Sequence, residues 1–507
     1  MAIGFATIMV GSSTVALFGG FGSPKNPAQT SDTTITNTPA DNYKDKDRPT
    51  FCETSDAKSN KYITEFKIPT ACTQPLAITT DSNGNVWFTE SNTGKIAKFD
   101  PSTKNFTEYA NPLWQSHEKS MMWGIGYGPD GNLWYTDSGH NLIWKFSPAD
   151  QKYADFSYPK TPSQSEAFPQ MLVVNGKEIL VNDFVGRKIT SFNLDQVGST
   201  IDYSTISSPG NYNFTSDMAI DPNGKIWYTV WIYQQGGNLV RYDPQTGNKT
   251  QFNLPPGIQA PNGMSIDKDG KIWITDTASS NFVSFDPHTQ QFTKFITPMP
   301  IESTYGNASG LIKTPISRPY WSHIDDKGRI WFNEQVANSI GVFDPAKNSL
   351  VEYLVPSTNP NWSDCGTLQD CGVAQVLDFT INDDKVWFTE WVENNIGFLD
   401  PNMPLPIDVS ASPSDITLHR GENTTISFTI TPNEQIIDPV TIVTSNTANT
   451  NDLVVSGNDQ VTMTGQPKTV SISMSADNFA FAGTYKVLVG ARYHEVTISK
   501  YVTVTIK

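Results

Sequence analysis

A chain of 507 residues with a formal charge of −16 is too long for one domain. It is also too acidic for a nucleic-acid or anionic-membrane partner, since both need a basic surface. Four cysteines, Cys52, Cys72, Cys365 and Cys371, point to two disulfides and an exported chain. Three pairings are open, and proximity favours Cys52–Cys72 and Cys365–Cys371.

Residues 2–21 are apolar and uncharged, and read as a signal peptide or an N-terminal membrane anchor. Residues 22–50, rich in Ser, Thr, Asn, Pro and Asp, cannot bury a core and read as a disordered linker. From there to about 403 one phrase recurs seven times: NGNVWFTE at 83–90, DGNLWYTD at 130–137, GKEILVND at 176–183, NGKIWYTV at 223–230, DGKIWITD at 269–276, KGRIWFNE at 327–334 and DDKVWFTE at 383–390. The first five copies stand about 47 residues apart and the last two about 57. A period of roughly 40–50 residues with strand-like content is the mark of a propeller blade.

Each repeat divides into four strands. In the first, Pro75-Leu-Ala-Ile-Thr-Thr80 runs into an Asp-x-x-Gly turn and then the Trp-aromatic-Thr-acid strand. A polar turn, Ser91-Asn-Thr-Gly94, precedes Lys95–Phe99, and Asn105–Tyr109 completes the sheet. Asp, Asn, Gly and Pro at the joints are turn chemistry. The last repeat ends near Asp400-Pro401 without a fourth strand, and Ile63-Thr-Glu-Phe-Lys-Ile-Pro69 has the missing pattern. The expectation is a seven-bladed β-propeller over 51–403, closed by its own N-terminal strand so that only short edges remain.

The period stops at about 406. Ile407–Ala411, Thr424–Ile430, Thr469–Met474, Gly483–Val489 and Tyr501–Ile506 read as strands of an immunoglobulin-like β-sandwich over 406–507 without cysteine. The fold class is therefore all-β. Sequons at Asn105, Asn213, Asn248, Asn307, Asn361 and Asn423 agree with a secreted or extracytoplasmic location.

Loops joining strand 2 to 3, and strand 4 to the next strand 1, share one face of a propeller. Two rings of residues are candidates there. The first is the last position of the phrase: Glu90, Asp137, Asp183, Val230, Asp276, Glu334 and Glu390. Six carboxylates on one rim would repel unless protonated or neutralised, so they are either ligands of Ca²⁺ or Mg²⁺ or acceptors within their own turns. The second, just before strand 1, reads Leu76, Trp123, Gln170, Asp217, Asn262, Tyr320 and Gln375. Asp217 and Asn262 suit a divalent cation, and Trp123, Gln170, Tyr320 and Gln375 a small molecule or glycan at the channel mouth.

His323 is a candidate general base, although its place inside strand 1 equally fits a hydrogen-bonded core histidine. His117 and His140 fall in loops. Asp267-Lys-Asp-Gly270 begins like a calcium loop, but the remaining spacing is absent, so it reads as a turn. Two long connections, Ile301–Arg318 and Ser357–Gly372, should overhang the mouth as a lid or recognition surface.

The repeated Gly-x-[Val/Leu/Ile]-Trp-[Phe/Tyr]-Thr-[Glu/Asp], with Asn338-Ser-Ile-Gly341 and Asn395-Ile-Gly397, resembles the streptogramin lyase (virginiamycin B lyase-like) family of seven-bladed propellers over about 62–403. Pro261-Asn-Gly-Met264 resembles the SMP-30/gluconolactonase-type propellers, where such an Asn helps hold a divalent metal. The lyase resemblance implies ester opening by elimination, with Mg²⁺ and histidines that follow the proline before strand 1. No histidine stands at those positions here. The resemblance thus implies the fold, with C–O lyase or lactone hydrolase activity left open. Beside it stands a non-catalytic reading, a cell-surface platform meeting an envelope protein through the immunoglobulin-like domain.

Overall fold

A computed structural model describes residues 52–507 apart from 115–119, 161–166, 195–202, 211–213, 233–234, 311–313 and 450. The apolar segment 2–21, the linker 22–50, His117 and Asn213 therefore lie outside the described residues. Seven antiparallel sheets of propeller blades follow in chain order. Blade one pairs Pro75–Thr80, Val86–Glu90, Lys95–Asp100 and Asn105–Tyr109 from the channel outward. Blade seven takes Val376–Asn382, Lys385–Glu390 and Asn395–Leu399 from its own repeat, and Ile63–Lys67 pairs on its outside with Phe66 opposite Ile396. The N-terminal strand closes the ring.

The phrase itself is a packing device. In five blades the Asp of the first turn accepts the indole N–H of the Trp: Trp87 to Asp81 and Trp227 to Asp221 at 2.9 Å, Trp331 to Asp325 at 2.8 Å, Trp273 to Asp267 at 3.2 Å and Trp134 to Asp130 at 3.4 Å. In blade three both partners change together, to Asn175 and Leu180. Asp267 also accepts Asp269 N–H and Lys271 N–H, so that segment is a turn. Trp87 and Phe88, adjacent on one strand, bury into different clusters on the two sides of the blade. Burial of each such ring contributes about 2 kcal/mol.

The Thr or Asn before the rim acid stitches neighbouring blades. Thr89 Oγ1 accepts Ala77 N–H of its own blade and donates to Met122 O of the next. Asn333 does the same with Trp321 N–H and Val376 O. Thr389 donates to Leu76 O at 2.8 Å, carrying the pattern from blade seven back to blade one. These bonds satisfy backbone groups left unpaired where strand 1 bulges away from strand 2.

Blade six does not end at its fourth strand. Ser349–Leu354 pairs with Val496–Ile506 of the C-terminal region, Ser349 opposite Lys500 and Tyr353 opposite Val496, giving one nine-stranded sheet. A second sheet of Ile407–Ser412, Asn423–Pro432, Lys468–Ala476 and Leu453–Ser456 packs on it through Val409, Phe428, Ile472, Val489 and Val504. Leu488 and Tyr501 bury against Phe295 and Phe343 of blades five and six. The C-terminal region is thus joined to the ring by backbone hydrogen bonds and a shared core.

Candidate functional site

The rim carboxylates are held one by one. Each is fully buried. Asp276 accepts Ala260 N–H and the Ser279 hydroxyl at 2.6 Å. Asp183 accepts Phe168 N–H and Gly186 N–H at 2.9 Å, with Lys188 Nζ at 3.6 Å. Asp137 accepts the Ser120 hydroxyl, Trp144 Nε1 at 2.9 Å and His140 Nδ1 at 2.8 Å. Glu90 accepts the Thr93 hydroxyl and Glu390 the Asn395 amide, both at 2.8 Å. Turn donors therefore serve five of the six, and no group of three or more metal-type side chains occurs among the described residues.

The Glu rims carry a further feature. Glu90, Glu334 and Glu390 are each set beside a Glu of strand 4 in the same blade: Glu108, Glu352 and Glu65. Burial, and then the neighbouring carboxyl, push the pKa of Glu90, Glu352 and Glu390 far up. For Glu334 burial raises it. Strand 3 is small between the pairs, at Ala97, Gly341 and Gly397. A Cβ on Gly397 would fall 2.0 Å from the Phe388 ring, which is why glycine ends the Asn-x-Ile-Gly segment here.

Strand register revises the second ring. Thr215 faces Val230 and Val376 faces Glu390, just as Pro75 faces Glu90. The positions equivalent to Leu76 are therefore Trp123, Gln170, Ser216, Asn262, Tyr320 and Leu377. Asp217 lies one residue deeper, and Gln375 sits above the ring with Trp391 N–H bonded to its carbonyl. No histidine stands at the corrected positions either. At the deeper level Asp217 is matched by Asp378. Asp217 accepts Met218 N–H at 2.8 Å and Met264 N–H at 3.0 Å of the next blade. Asp378 accepts Phe379 N–H at 2.9 Å and Ile78 N–H at 3.0 Å in the same way. Burial lifts Asp217 to about 7. It lifts Asp378 well above the carboxylate range, with the charge of Asp217 adding to the effect.

Above these acids the mouth is aromatic. The Trp123 and Tyr320 rings approach to 6.5 Å between centroids from blades two and six. A third ring is made by the residue after each rim acid: Ser91, Ser138, Phe184, Trp231, Thr277, Gln335 and Trp391. Their diversity at a repeated position was a legible signal that the reading of the phrase, stopping at the acid, passed over. Phe184 stacks on Phe214 at 4.7 Å, and Trp362 of the second long connection meets Trp391 edge-on at 5.1 Å. Trp123 Nε1, Tyr320 Oη, Trp391 Nε1, Gln170 Nε2 and the Gln335 amide are buried without a hydrogen-bond partner among the described residues. Asn262 Oδ1 accepts the Ser216 hydroxyl at 3.0 Å.

The two long connections form one cap. Asn307 N–H and Ala308 N–H donate to Asp364 O at 2.9 Å, and Gly372 N–H to Ser303 O. Cys365–Cys371 closes the second connection, and Cys52–Cys72 pins the N-terminal segment. The carboxylate of Glu393 holds that segment through Thr54 and Ser55. His323 lies deeper in strand 1 of blade six, edge-on to Phe379 at 4.7 Å. Burial depresses it to about 4, so it is a neutral imidazole apart from the mouth.

Comparison with known proteins agrees with this architecture. The model of the virginiamycin B lyase family matches residues 53–182, and the chain resembles that family. A solved structure of a catalytically inactive virginiamycin B lyase from Staphylococcus aureus with quinupristin superposes with a TM-score of 0.53 at 18% identity, over 68% of this chain and 99% of that one. A streptogramin B lyase gives 0.53 at 22% identity, over 67% and 97%. Identity at this level establishes the seven-bladed fold. No curated protein matches the chain.

Proposed function

We propose that the capped mouth binds a small, acceptor-rich apolar molecule, of lactone, ester or glycan type, above a divalent cation (Ca²⁺ or Mg²⁺) shared by Asp217 and Asp378. The observation that carries this reading is the set of buried donors without partners at Trp123, Tyr320, Trp391, Gln170 and Gln335. Buried N–H and O–H groups left unmatched cost stability, and ester or hydroxyl oxygens would match them. Two carboxyls whose pKa is raised by burial hold either protons or a cation. The similar Staphylococcus aureus structure was solved with quinupristin, a precedent for a small molecule held by this fold. Catalysis is a separate matter, because no ring position supplies a base.

Two disulfides support an extracytoplasmic location, and we read the C-terminal sandwich as immunoglobulin-like, with its free sheet available to an envelope partner. Melting of the full chain in chelator, Ca²⁺ and Mg²⁺ tests the cation. A ligand of the native state raises Tm by mass action, by several degrees at saturation, and Asp217→Asn or Asp378→Asn should abolish the rise. Without metal the sign reverses. An acid raised to about 7 favours the fold while protonated, and that stability is lost as pH climbs from the unfolded value to about 7. Asp217→Asn should therefore gain on the wild type at pH 8, less at pH 5, and not below the unfolded carboxyl value. Equal melting in chelator and in both metals would remove the cation from the reading.

A further inference from the structure

We propose a second ligand site, for a zwitterion of amino-acid type, in the crevice where the N-terminal segment, the cap and the C-terminal region meet beside the exit of blade six. The cavity measures about 290 Å³ and is walled by Lys58 and Asn60, by Ser303, Thr304 and Asp370 of the cap, by Leu354, Val355, Pro356 and Thr358, and by Glu495. It lies outside the mouth and draws a wall from every part of the chain that surrounds the ring.

The ligand class follows from which polar groups remain uncommitted. Asn60 is saturated: its Nδ2 donates to Leu354 O at 3.0 Å, and its Oδ1 accepts Tyr62 N–H and Ile63 N–H. The Thr304 hydroxyl donates to Ile301 O at 2.8 Å. One oxygen of Glu495 accepts Lys61 N–H at 3.3 Å. The Lys58 ammonium, the Asp370 carboxylate and the Ser303 hydroxyl make no hydrogen bond or ion pair among the described residues, and the second Glu495 oxygen is likewise open. A neutral sugar would find the amide and the buried hydroxyl already engaged. A simple cation would meet Lys58. A molecule with a carboxylate for Lys58, an ammonium for Asp370 and Glu495, and an apolar side chain for Leu354–Pro356 satisfies all of them.

The backbone of the walls is held in advance, which lowers the cost of binding, while the Ser303 and Asp370 side chains stay exposed to an entering ligand. Lys58 N–H donates to Glu65 Oε2 at 2.7 Å, and Glu65 N–H returns to Lys58 O at 3.1 Å. Asp370 stands inside the loop closed by Cys365–Cys371. Leu354 N–H donates to Glu495 O at 2.8 Å, which locks the blade exit to the C-terminal hairpin.

Calorimetry on the full chain with L-leucine, N-acetyl-L-leucine, L-leucinamide and sucrose tests the site. L-leucine should bind, and each blocked derivative should bind about tenfold more weakly, the worth of one charge-assisted contact. Lys58→Ala and Asp370→Asn should each weaken L-leucine about tenfold with unchanged melting, because neither side chain has an internal partner. Trp123→Ala, at the mouth, should leave L-leucine binding intact, so failure of the mouth reading and of this one are distinguishable. No heat with millimolar L-leucine overturns the proposal. So does equal binding of the blocked forms, indifference to Lys58→Ala and Asp370→Asn, binding of sucrose in its place, or loss on Trp123→Ala.

Discussion

Blades six and seven both receive a strand from a chain terminus, and they handle the resulting buried acids differently. In blade seven the incoming strand brings an acid: Glu65 lies beside Glu390, and no guanidinium is among the main influences on Glu390 from the described residues. Glu65 accepts Ser357 N–H at 2.9 Å and Lys58 N–H at 2.7 Å, so the shared proton belongs on Glu390. In blade six the acids, Glu334 and Glu352, belong to the blade itself, and the incoming hairpin brings a base. Arg492 donates to Met299 O at 3.2 Å and to Thr497 at 3.1 Å, and its charge offsets part of the rise in pKa of both carboxyls. Blade seven relies on protonation alone, whereas in blade six a cation offsets part of the same effect on Glu334 and Glu352. The ring is therefore the more pH-sensitive at its own seam, and the C-terminal region is electrically part of blade six.

The largest effect should come from removing that cation. Arg492→Ala removes the bonds of the guanidinium to Met299 O and Thr497 and its field from two buried carboxyls. Hydrogen bonds of a charged donor are worth about 1.5–3 kcal/mol and Arg492 is half-buried, so about 2 kcal/mol at pH 8 is the expectation after solvent screening. The loss should shrink towards pH 5, because protonation of Glu334 or Glu352 does what the guanidinium did. Thermal melting of both proteins from pH 5 to 8.5 checks it, and a loss independent of pH would assign Arg492 to packing alone.

Between the two blades lies the cap, and its disulfide should matter less. Cys365 and Cys371 are 6 residues apart, and so short a closed loop constrains the unfolded chain by about 2 kcal/mol at most. The cap is also held by the bonds to Asp364 O and Ser303 O, which survive reduction. Cys365→Ser with Cys371→Ser should lower Tm by a few degrees and speed amide exchange in 357–372 while leaving blade seven protected. Exchange spreading into Val376–Asn382 would show that the disulfide also holds the seam.

Most of this comparison was legible, and the illegible parts have physical reasons. The blades, their closure by Ile63–Lys67 and the cysteine pairs follow from local turn chemistry, strand pattern and proximity, all visible in a linear string. The inner ring was miscounted at two blades because four blades mark it with Pro75, Pro169, Pro261 and Pro319, whereas blades four and seven have Thr215 and Val376 there. The bulge that follows hides the slip, since it shifts the register between strands 1 and 2. The docking of the C-terminal hairpin on blade six is a pairing of Ser349 with Lys500, too distant for any period to reveal. One trace of it was present: Ser349-Leu-Val-Glu-Tyr-Leu354 is apolar on both faces and largely buried, while the outer strand Lys249-Thr-Gln-Phe-Asn253 of blade four is exposed. Glu65, Glu108 and Glu352 lie outside the repeated phrase, on the outer strands, so nothing in the linear string pairs them with the rim acids.

The smallest expected effect tests the proton in blade seven. Glu390 has its pKa pushed far up by burial and by Glu65, so its stabilising contribution is present below the unfolded carboxyl value and is lost as pH rises. Glu390→Gln imitates the protonated form. Its amide oxygen can still accept from Asn395, and its amide hydrogens can donate to Glu65. The variant should melt with the wild type at pH 4.5, rise above it by a degree or more at pH 8, and slow cleavage of the 52–69 segment by a protease added at alkaline pH. In blade six Glu334→Gln should do less, because Arg492 already offsets the charge there. Equal gains in the two blades would mean that the guanidinium does not reach its acids and that both seams depend on protons alone.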